Sequence, residues 1–586
     1  MNEPLLRSPT TRTPPRQAFQ IRTRNETEEG PHILAEAEHA NALNDANTAA
    51  RETTAANIER ERALELQTLK VLGRPFAADI SFWYESLPVA VVLGVVVGLS
   101  CLFFLWITNA GFYLWFQFHA NFSDSTTTKT NWKWYLLVTT TGGALAGLLY
   151  MIPKAPGIGA VRSFVHNMAD LHGNPQETIT VVLSGGIALM TGAPLGPEQV
   201  LGAIGSGIAA VLARWLRVPR RTEALWIQTA LSASLGGFFP CLLVGPVVIH
   251  EMSVTSRPSK ITVDAVVAHE VLPTDTDPTN GDVSTAASSS SVHPEDHDYI
   301  EVFILNLVSA TLASLVIRWI HLAAVHSMDL TPVPNDFEVW HLAAALPLGV
   351  LSAVVGSSVL VLNLVVRGIR QRLSRGMIQL GAPVWLISIF FPTVAGLVHG
   401  LLGLYFPYAM GTGLSFLRDA WNAAIQEETL PSVSQLSWTA VVRVVGLSVS
   451  LGFGLIGGTI IPTVVVGFCM GLAVSLSISC LPLSLVVPCC MAACPVSIFP
   501  APVTAVIAIS LLTGCSAEQT GPILIASVVA FTITGGTGVL SRLGKWQLVS
   551  NDIDLEDDDN EPRLLHGPLS DDEFLHDVRS AIFGSV

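Results

Sequence analysis

A carboxylate in a broken apolar segment is the first residue of this sequence with evident chemistry. Glu198 lies in GAPLGPEQV (192–200), where two prolines and two glycines interrupt a strongly apolar stretch. A charged side chain in a nonpolar setting is costly, so such residues usually serve a function. A helix that begins there has unpaired N–H groups and partial positive charge at its start, and it can hold an anion without a cationic side chain. The alternative role of Glu198 is a plain helix N-cap.

Two other segments have the same character and come from distant parts of the chain. They are APGIG (155–159) and GGTIIP (457–462). Glycine at a helix start allows close approach of an ion to the backbone. Binding by N–H groups alone is weaker than binding by a full cation, and conduction requires weak binding at several sites. The three breaks together predict a pathway for an anion.

A second acid, Glu251 in VIHEM (248–252), is the last charged residue before a polar insert. Its position at the end of an apolar segment suits the cytoplasmic mouth of the pathway. An interfacial acid without a special role is the alternative, because charges at helix ends are common.

Composition places these residues in a membrane. Half of the 586 residues are hydrophobic, 13% are charged, and the mean hydropathy is +0.51. Soluble domains carry about 25% charged residues. No Asp, Glu, Lys or Arg occurs in 86–123, 339–366, 376–417 or 444–517. A spanning helix needs about 20 apolar residues, so this is an integral, multi-pass membrane protein. We expect a transport function and no enzymatic one, without cofactor or metal.

The polar segments flank one large membrane domain. Residues 1–75 are expected to form a disordered cytoplasmic region, 76–546 the membrane domain with a polar loop insert at 253–298, and 547–586 an acidic cytoplasmic tail. The tail is too short for paired regulatory (CBS) domains. Asn121 begins a weak glycosylation pattern.

The net charge of −15 comes largely from these polar segments. The sequence has no basic patch with interleaved aromatic residues, so it does not indicate nucleic acid binding. Long polar termini suggest a eukaryotic endomembrane or plasma membrane.

Four segments resemble, in family order, the CLC family of chloride channels and anion/proton exchangers. They are LGPEQVLGAIGSGIA (195–209), FFPCLLVGPVVIHEM (238–252), GLIGGTIIPTVVVGFCMGLAVSL (454–476) and APVTAVIAISLLTG (501–514). The resemblance covers about 76–546. It implies an all-α, polytopic homodimer of about 18 tilted and broken helices in two inverted repeats. Each subunit would contain one pathway for chloride or nitrate.

The resemblance also implies roles for individual residues. Glu198 falls on the family's gating glutamate, which competes with the anion for its site and leaves it when protonated. Glu251 falls on the internal proton-transfer glutamate. The anion-binding positions are Pro156, Gly157, Ile158, Gly196, Pro197, Gly458, Thr459, Ile460, Ile461 and Leu540.

The sequence departs from the family pattern at several of these positions. Pro156 replaces the usual serine, as in plant exchangers that prefer nitrate, and Leu540 stands where the family has a tyrosine. Ile460 replaces a phenylalanine, and Gly159 replaces a proline. Two side-chain anion ligands are therefore missing, and the site would depend mainly on backbone N–H groups.

We predict an anion/proton antiporter with the lipid bilayer, protons and chloride or nitrate as its partners. A voltage- or proton-gated chloride channel on the same fold is the first alternative. A family member that has lost transport and serves as a membrane scaffold is the second. An unrelated secondary transporter would make the four ordered segments a coincidence.

Overall fold

Helices make up nearly all of the described chain. The computed structural model describes residues 80–118, 132–151, 175–239, 241–255, 299–320, 330–332, 334, 337–426 and 430–536. Within these ranges the α-helices are α1 (Ile80–Phe112), α2 (Trp132–Leu148), α3 (Pro175–Met190), α4 (Glu198–Leu216), α5 (Arg220–Phe238), α6 (Val244–Thr255), α7 (Tyr299–Trp319), α8 (His341–Gln379), α9 (Val384–Tyr405), α10 (Leu414–Ile425), α11 (Val433–Gly452), α12 (Ile460–Ser477), α13 (Leu483–Val496), α14 (Pro502–Thr513) and α15 (Thr520–Gly536). The predicted all-α class is confirmed.

Seven helical segments of the described ranges are long and apolar enough to cross a membrane. They are Trp83–Phe116, Trp132–Met151, Glu198–Leu216, Ile300–Trp319, His341–Gln379, Val384–Tyr405 and Ile460–Ser477. Many of their large apolar side chains face outward; Trp319, for example, is 84% exposed. Apolar side chains that face outward suit a lipid solvent. The prediction of a multi-pass membrane protein is confirmed.

Several helices begin at the Gly- and Pro-containing breaks that the sequence shows. α4 begins directly after Pro197, and α14 begins at Pro502, which has no N–H to leave unpaired. α12 begins after GGT (457–459). These short loops therefore place helix N-termini within the packed interior.

The interior is formed around α12 and α13. Almost every residue of α13 is buried, and α12 is buried from Ile461 to Ala473. A helix that is apolar on all sides belongs in such a position. Gly467 packs against the backbone carbonyl of Cys490, and Cys489, Cys490 and Cys494 are fully buried. These cysteines act as small apolar residues in the packing.

α2 and α9 approach each other at the level of their backbones. The glycines Gly143 and Gly147 of α2 face the carbonyl oxygens of Pro392 and Ser388, and Gly396 of α9 faces Thr139. Small residues at four-residue spacing permit this contact between membrane helices. Gly143 and Gly147 have this spacing in the sequence.

Several predictions concern residues outside the described ranges. They include the N-terminal region 1–75, the tail 547–586, the glycosylation pattern at Asn121, and most of the insert 253–298. Pro156, Gly157, Ile158 and Leu540 also lie there. The expected total of about eighteen helices refers to the whole chain.

We predict that Gly396→Ala lowers the free energy of unfolding by about 1–3 kcal/mol, because a methyl group would overlap the Thr139 carbonyl oxygen. Thermal unfolding in detergent, followed by tryptophan fluorescence, measures the change. Gly376→Ala in α8 is the matched control: nothing lies within 4 Å of that position. It should have no effect or stabilise by up to about 1 kcal/mol. Equal effects of both variants would contradict a close α2–α9 contact.

Candidate functional site

Two loops meet through a pair of backbone hydrogen bonds. The Gly196 N–H donates to the Gly458 carbonyl oxygen at 2.9 Å, and the Gly458 N–H donates to the Gly196 carbonyl oxygen at 2.7 Å. This isolated antiparallel bridge joins the loop before α4 to the loop before α12. Both glycines were predicted to bind an anion. In this arrangement their N–H groups are paired with each other, so their direct role is to hold the two loops together.

Glu198 is the first residue of α4, but its side chain is bound by the start of a different helix, α12. Its Oε1 accepts from the Ile460 N–H at 2.5 Å and from the Ile461 N–H at 3.1 Å. The two partners are 262 and 263 residues away along the chain. α4 has Pro197 as its N-cap, without a side-chain cap. A negative oxygen thus interacts with the unpaired amides and positive dipole end of α12.

The carboxylate is enclosed. Glu198 is only 1% exposed, and its Oε2 has no hydrogen-bond partner among the described residues. A Cβ on either Gly196 or Gly458 would overlap the Glu198 carboxylate. Glycine is required at both positions for the carboxylate to reach the helix start. Thr459 is the N-cap of α12 and makes no side-chain cap bond.

A buried arginine supports the loop before α4. Arg443 of α11 is fully buried and donates to the carbonyl oxygens of Tyr408, Met410, Gly411 and Thr412 at 2.9–3.4 Å. The Gly411 N–H in turn donates to the Gly192 carbonyl oxygen at 3.0 Å.

The loop geometry depends on glycines with positive φ. Gly413 has φ +79°, and a side chain there would overlap the Arg443 guanidinium. Gly192, at the other end of the contact, has φ +87°. The guanidinium therefore fixes one loop, and that loop contacts the segment leading to Glu198. The sequence analysis missed Arg443, although a lone charge in the apolar stretch around α11 was a usable signal.

The second predicted acid also lies at a helix start. Glu251, on α6, accepts at Oε1 from the Val503 N–H at 2.9 Å. Its Oε2 accepts from the N–H and the hydroxyl of Thr504 at 3.0 and 2.8 Å. These are the first amides of α14 after Pro502. Each predicted acid thus contacts the N-terminus of a helix distant in the chain.

A small cavity lies between the two carboxylate sites. Its volume is about 40 Å³. It is lined by Ile460, which contacts Glu198, and by Thr504, which contacts Glu251, together with apolar side chains such as Val464 and Phe499. Glu198 and Glu251 do not touch. The cavity is apolar and about large enough for a single water molecule.

Comparisons with known proteins agree with this architecture. A family model described as voltage gated chloride channel matches residues 290–535, which include the α12 and α14 starts. The match covers 246 of the 586 residues, less than half of the chain, and it supports membership of the CLC family. The match does not include Glu198 or Glu251. Among curated proteins, none matches this chain significantly.

Solved structures share the fold at low identity. A slow cyanobacterial Cl⁻/H⁺ antiporter matches with a TM-score of 0.61 at 17% identity, covering 79% of this chain and 98% of its own. A CLC-type fluoride/proton antiporter matches with a TM-score of 0.55 at 16% identity and the same coverage. A eukaryotic CLC transporter matches with a TM-score of 0.52 at 15% identity, covering 78% of this chain and 73% of its own.

We predict that Arg443→Gln lowers the free energy of unfolding by about 3 kcal/mol, because several buried carbonyl groups lose a charged donor. Arg418→Gln is the control, since Arg418 makes only a partly exposed ion pair with Asp419; its cost should stay below about 1 kcal/mol. Thermal and denaturant unfolding in detergent measure both. A small effect of Arg443→Gln would mean that the loop holds its position without the guanidinium.

Proposed function

We propose that the protein transports a small inorganic anion, chloride or nitrate, across a membrane in exchange for protons. One observation carries the proposal: the Glu198 carboxylate is bound by the first amides of α12. A carboxylate oxygen and a halide or nitrate ion accept the same hydrogen bonds and favour the same dipole end. The glutamate therefore competes with an anion for this position. The names of two similar structures, a chloride/proton and a fluoride/proton antiporter, support the reaction type.

Glu198 acts as the gate in this mechanism. When ionised, it occupies the α12 start and excludes the anion. When protonated, it loses its charge and its attraction to the dipole, so it leaves and the anion binds to the Ile460 and Ile461 amides. The enclosed position makes the ionised form costly unless those amides hold it. Proton binding and anion binding thereby become linked.

Glu251 acts as the second proton carrier. Its contact residue Thr504 lines the same small cavity as Ile460, so a proton crossing between the acids has a short route off the anion position. The route is apolar and needs a transient water. Exchange requires a proton path that is separate from the anion path, whereas passive anion flow does not.

Anion selectivity follows from the donors. The amides of Ile460 and Ile461 bind by charge and geometry, and Pro156 contributes no hydroxyl. We therefore propose that both chloride and nitrate are carried, with weak preference between them.

We also propose a homodimer with one pathway per subunit. The mass of the protein particle in detergent, compared with the mass of one subunit, tests this point.

A gated anion channel is the second candidate. The observation that favours it is the complete capping of α14 by Glu251, with three hydrogen bonds to Val503 and Thr504. An acid held so firmly could be structural. The channel candidate requires anion flux without coupled proton movement.

We predict the following for purified protein in liposomes, with anion flux and internal pH recorded together. The wild type moves protons against an anion gradient, and its anion flux rises as the pH falls. Glu198→Gln has flux that no longer depends on pH and moves no protons, because its side chain is always neutral. Glu251→Gln keeps anion flux and loses proton movement.

Anion flux without proton movement in the wild type would favour the channel. The absence of flux of either anion would favour a membrane scaffold.

Gly458→Ala should behave like Glu198→Gln, because a methyl group there overlaps the carboxylate and prevents it from reaching α12. We expect the pH dependence of flux to be lost although Glu198 itself is intact. Gly457→Ala is the matched control: its methyl group meets Leu195 and not Glu198. Preserved pH dependence in Gly458→Ala, or equal loss in both variants, would contradict the proposed gate position.

A further inference from the structure

Two arginines lie inside the helical region, away from both glutamates. They belong to the basic stretch VRGIRQRLSR (366–375). In the structure it forms the last part of α8, and its residues differ in burial. Arg370 is only 8% exposed, and Arg367 is partly buried with an Nε that lacks a hydrogen-bond partner among the described residues. Arg372 and Arg375, on the same helix, are exposed.

Arg367 and Arg370 are three residues apart on α8, so their side chains lie on the same face of the helix, where like charges repel. Arg370 lies within electrostatic range of Arg367 and of the Tyr150 hydroxyl oxygen. In the part of the chain that the structure describes, no carboxylate forms an ion pair with either arginine. Arginine does not lose its proton in proteins. Two adjacent buried cations without an anion are costly, because desolvation and repulsion add. An anion bound beside the pair would offset this cost.

The pair lies close to the loop that leads to α12. The Tyr150 hydroxyl donates to the Gly454 carbonyl oxygen at 2.5 Å. The backbone at Arg367 lies near Gly452, at the end of α11. Gly454 is four residues before Gly458, which contacts the Glu198 side chain, and four residues span at most about 14 Å. The arginines thus lie near the base of the loop that forms the site.

We propose that Arg367 and Arg370 form a second binding site for the transported inorganic anion, in series with the site at the α12 start. This inference rests on the proposed transport function. The cation pair would attract the anion and raise its local concentration next to the weaker backbone site. A monovalent anion held between two guanidinium groups relieves their repulsion and accepts the unpaired Nε–H. Chloride and nitrate have the charge and size for this position.

The test compares anion dependence in charge-matched variants. Protein in vesicles of phosphatidylcholine alone is assayed for flux at increasing chloride and nitrate concentrations. Arg370→Gln and Arg367→Gln should raise the anion concentration for half-maximal flux roughly tenfold, the expected loss for a charge-assisted hydrogen bond. Arg375→Gln, the same charge change on an exposed position of α8, should leave it unchanged. Arg370→Lys, which keeps the charge, should retain most of the wild-type dependence.

An equilibrium measurement separates this inference from the transport proposal. The melting temperature in neutral detergent is recorded in sodium chloride, sodium nitrate and sodium gluconate at equal ionic strength. Wild type and Glu198→Ala should both melt higher in chloride or nitrate. Arg370→Gln should lose that increase when Glu198 is present and occupies the α12 start, and should reduce it when Glu198 is replaced by alanine. This increase without any flux would leave the site intact and reject transport. Flux with identical anion dependence in Arg370→Gln and Arg375→Gln would reject the site and leave transport intact.

Two further outcomes would overturn the proposal. If anion dependence changes only after phosphatidylserine is added to the vesicles, the ligand is a lipid headgroup. If Asp170→Asn reproduces the effect of Arg370→Gln, the counter-charge is a carboxylate of the chain itself; Asp170 is the acid in the sequence segment that follows Tyr150.

Discussion

The structure depends on one interaction: an ionised side chain held by the start of a helix to which it does not belong. The Ile460 and Ile461 amides bind the Glu198 carboxylate with the charge and geometry that they would offer to a free anion. Glu198 is buried, so this interaction is stronger than it would be in water, and the loss of the charge on protonation removes most of it. The same two amides thus serve both the gate and the transported ion in the proposed mechanism.

The surrounding structure positions these two partners. The Gly196–Gly458 bridge fixes the distance between the loops before α4 and α12, and the absence of side chains on both glycines leaves room for the carboxylate. Arg443 fixes a third loop, which contacts the first through Gly411 and Gly192. Backbone groups in membrane interiors must be paired within the protein. Here that requirement produces a frame in which only a few amides remain available for an ion.

Glu251 repeats the arrangement at α14, with Val503 and Thr504 as donors. A small apolar cavity is lined by Ile460 and Thr504, the residues that contact the two acids. In the proposed mechanism, a transient water in this cavity carries the proton between the acids. The arginines of α8 add the opposite charge near the base of the α12 loop.

Much of the site could be predicted from the sequence. The breaks around Glu198 and before Ile460, and the acid at Glu251, stood out because glycine, proline and charge are rare in apolar segments. The paired use of the Gly196 and Gly458 amides could not be predicted, since it depends on two loops more than 250 residues apart. The sequence does not distinguish the roles of three cationic residues, Arg443, Arg367 and Arg370. Only the packing of the fold shows that Arg443 binds the carbonyl groups of a loop, whereas Arg367 and Arg370 form an adjacent pair of like charge.

The sequence by itself determined the membrane class, the all-α fold and the positions of the helix starts. These follow from composition and local residue preference, because each segment of chain carries its own hydrophobicity and its own breaks. Tertiary structure alone decided which helix start each acid contacts, which glycine amides remain free, and which arginines are buried. Those outcomes arise from long-range packing, where hydrogen bonds form between whichever groups the fold brings within about 3 Å.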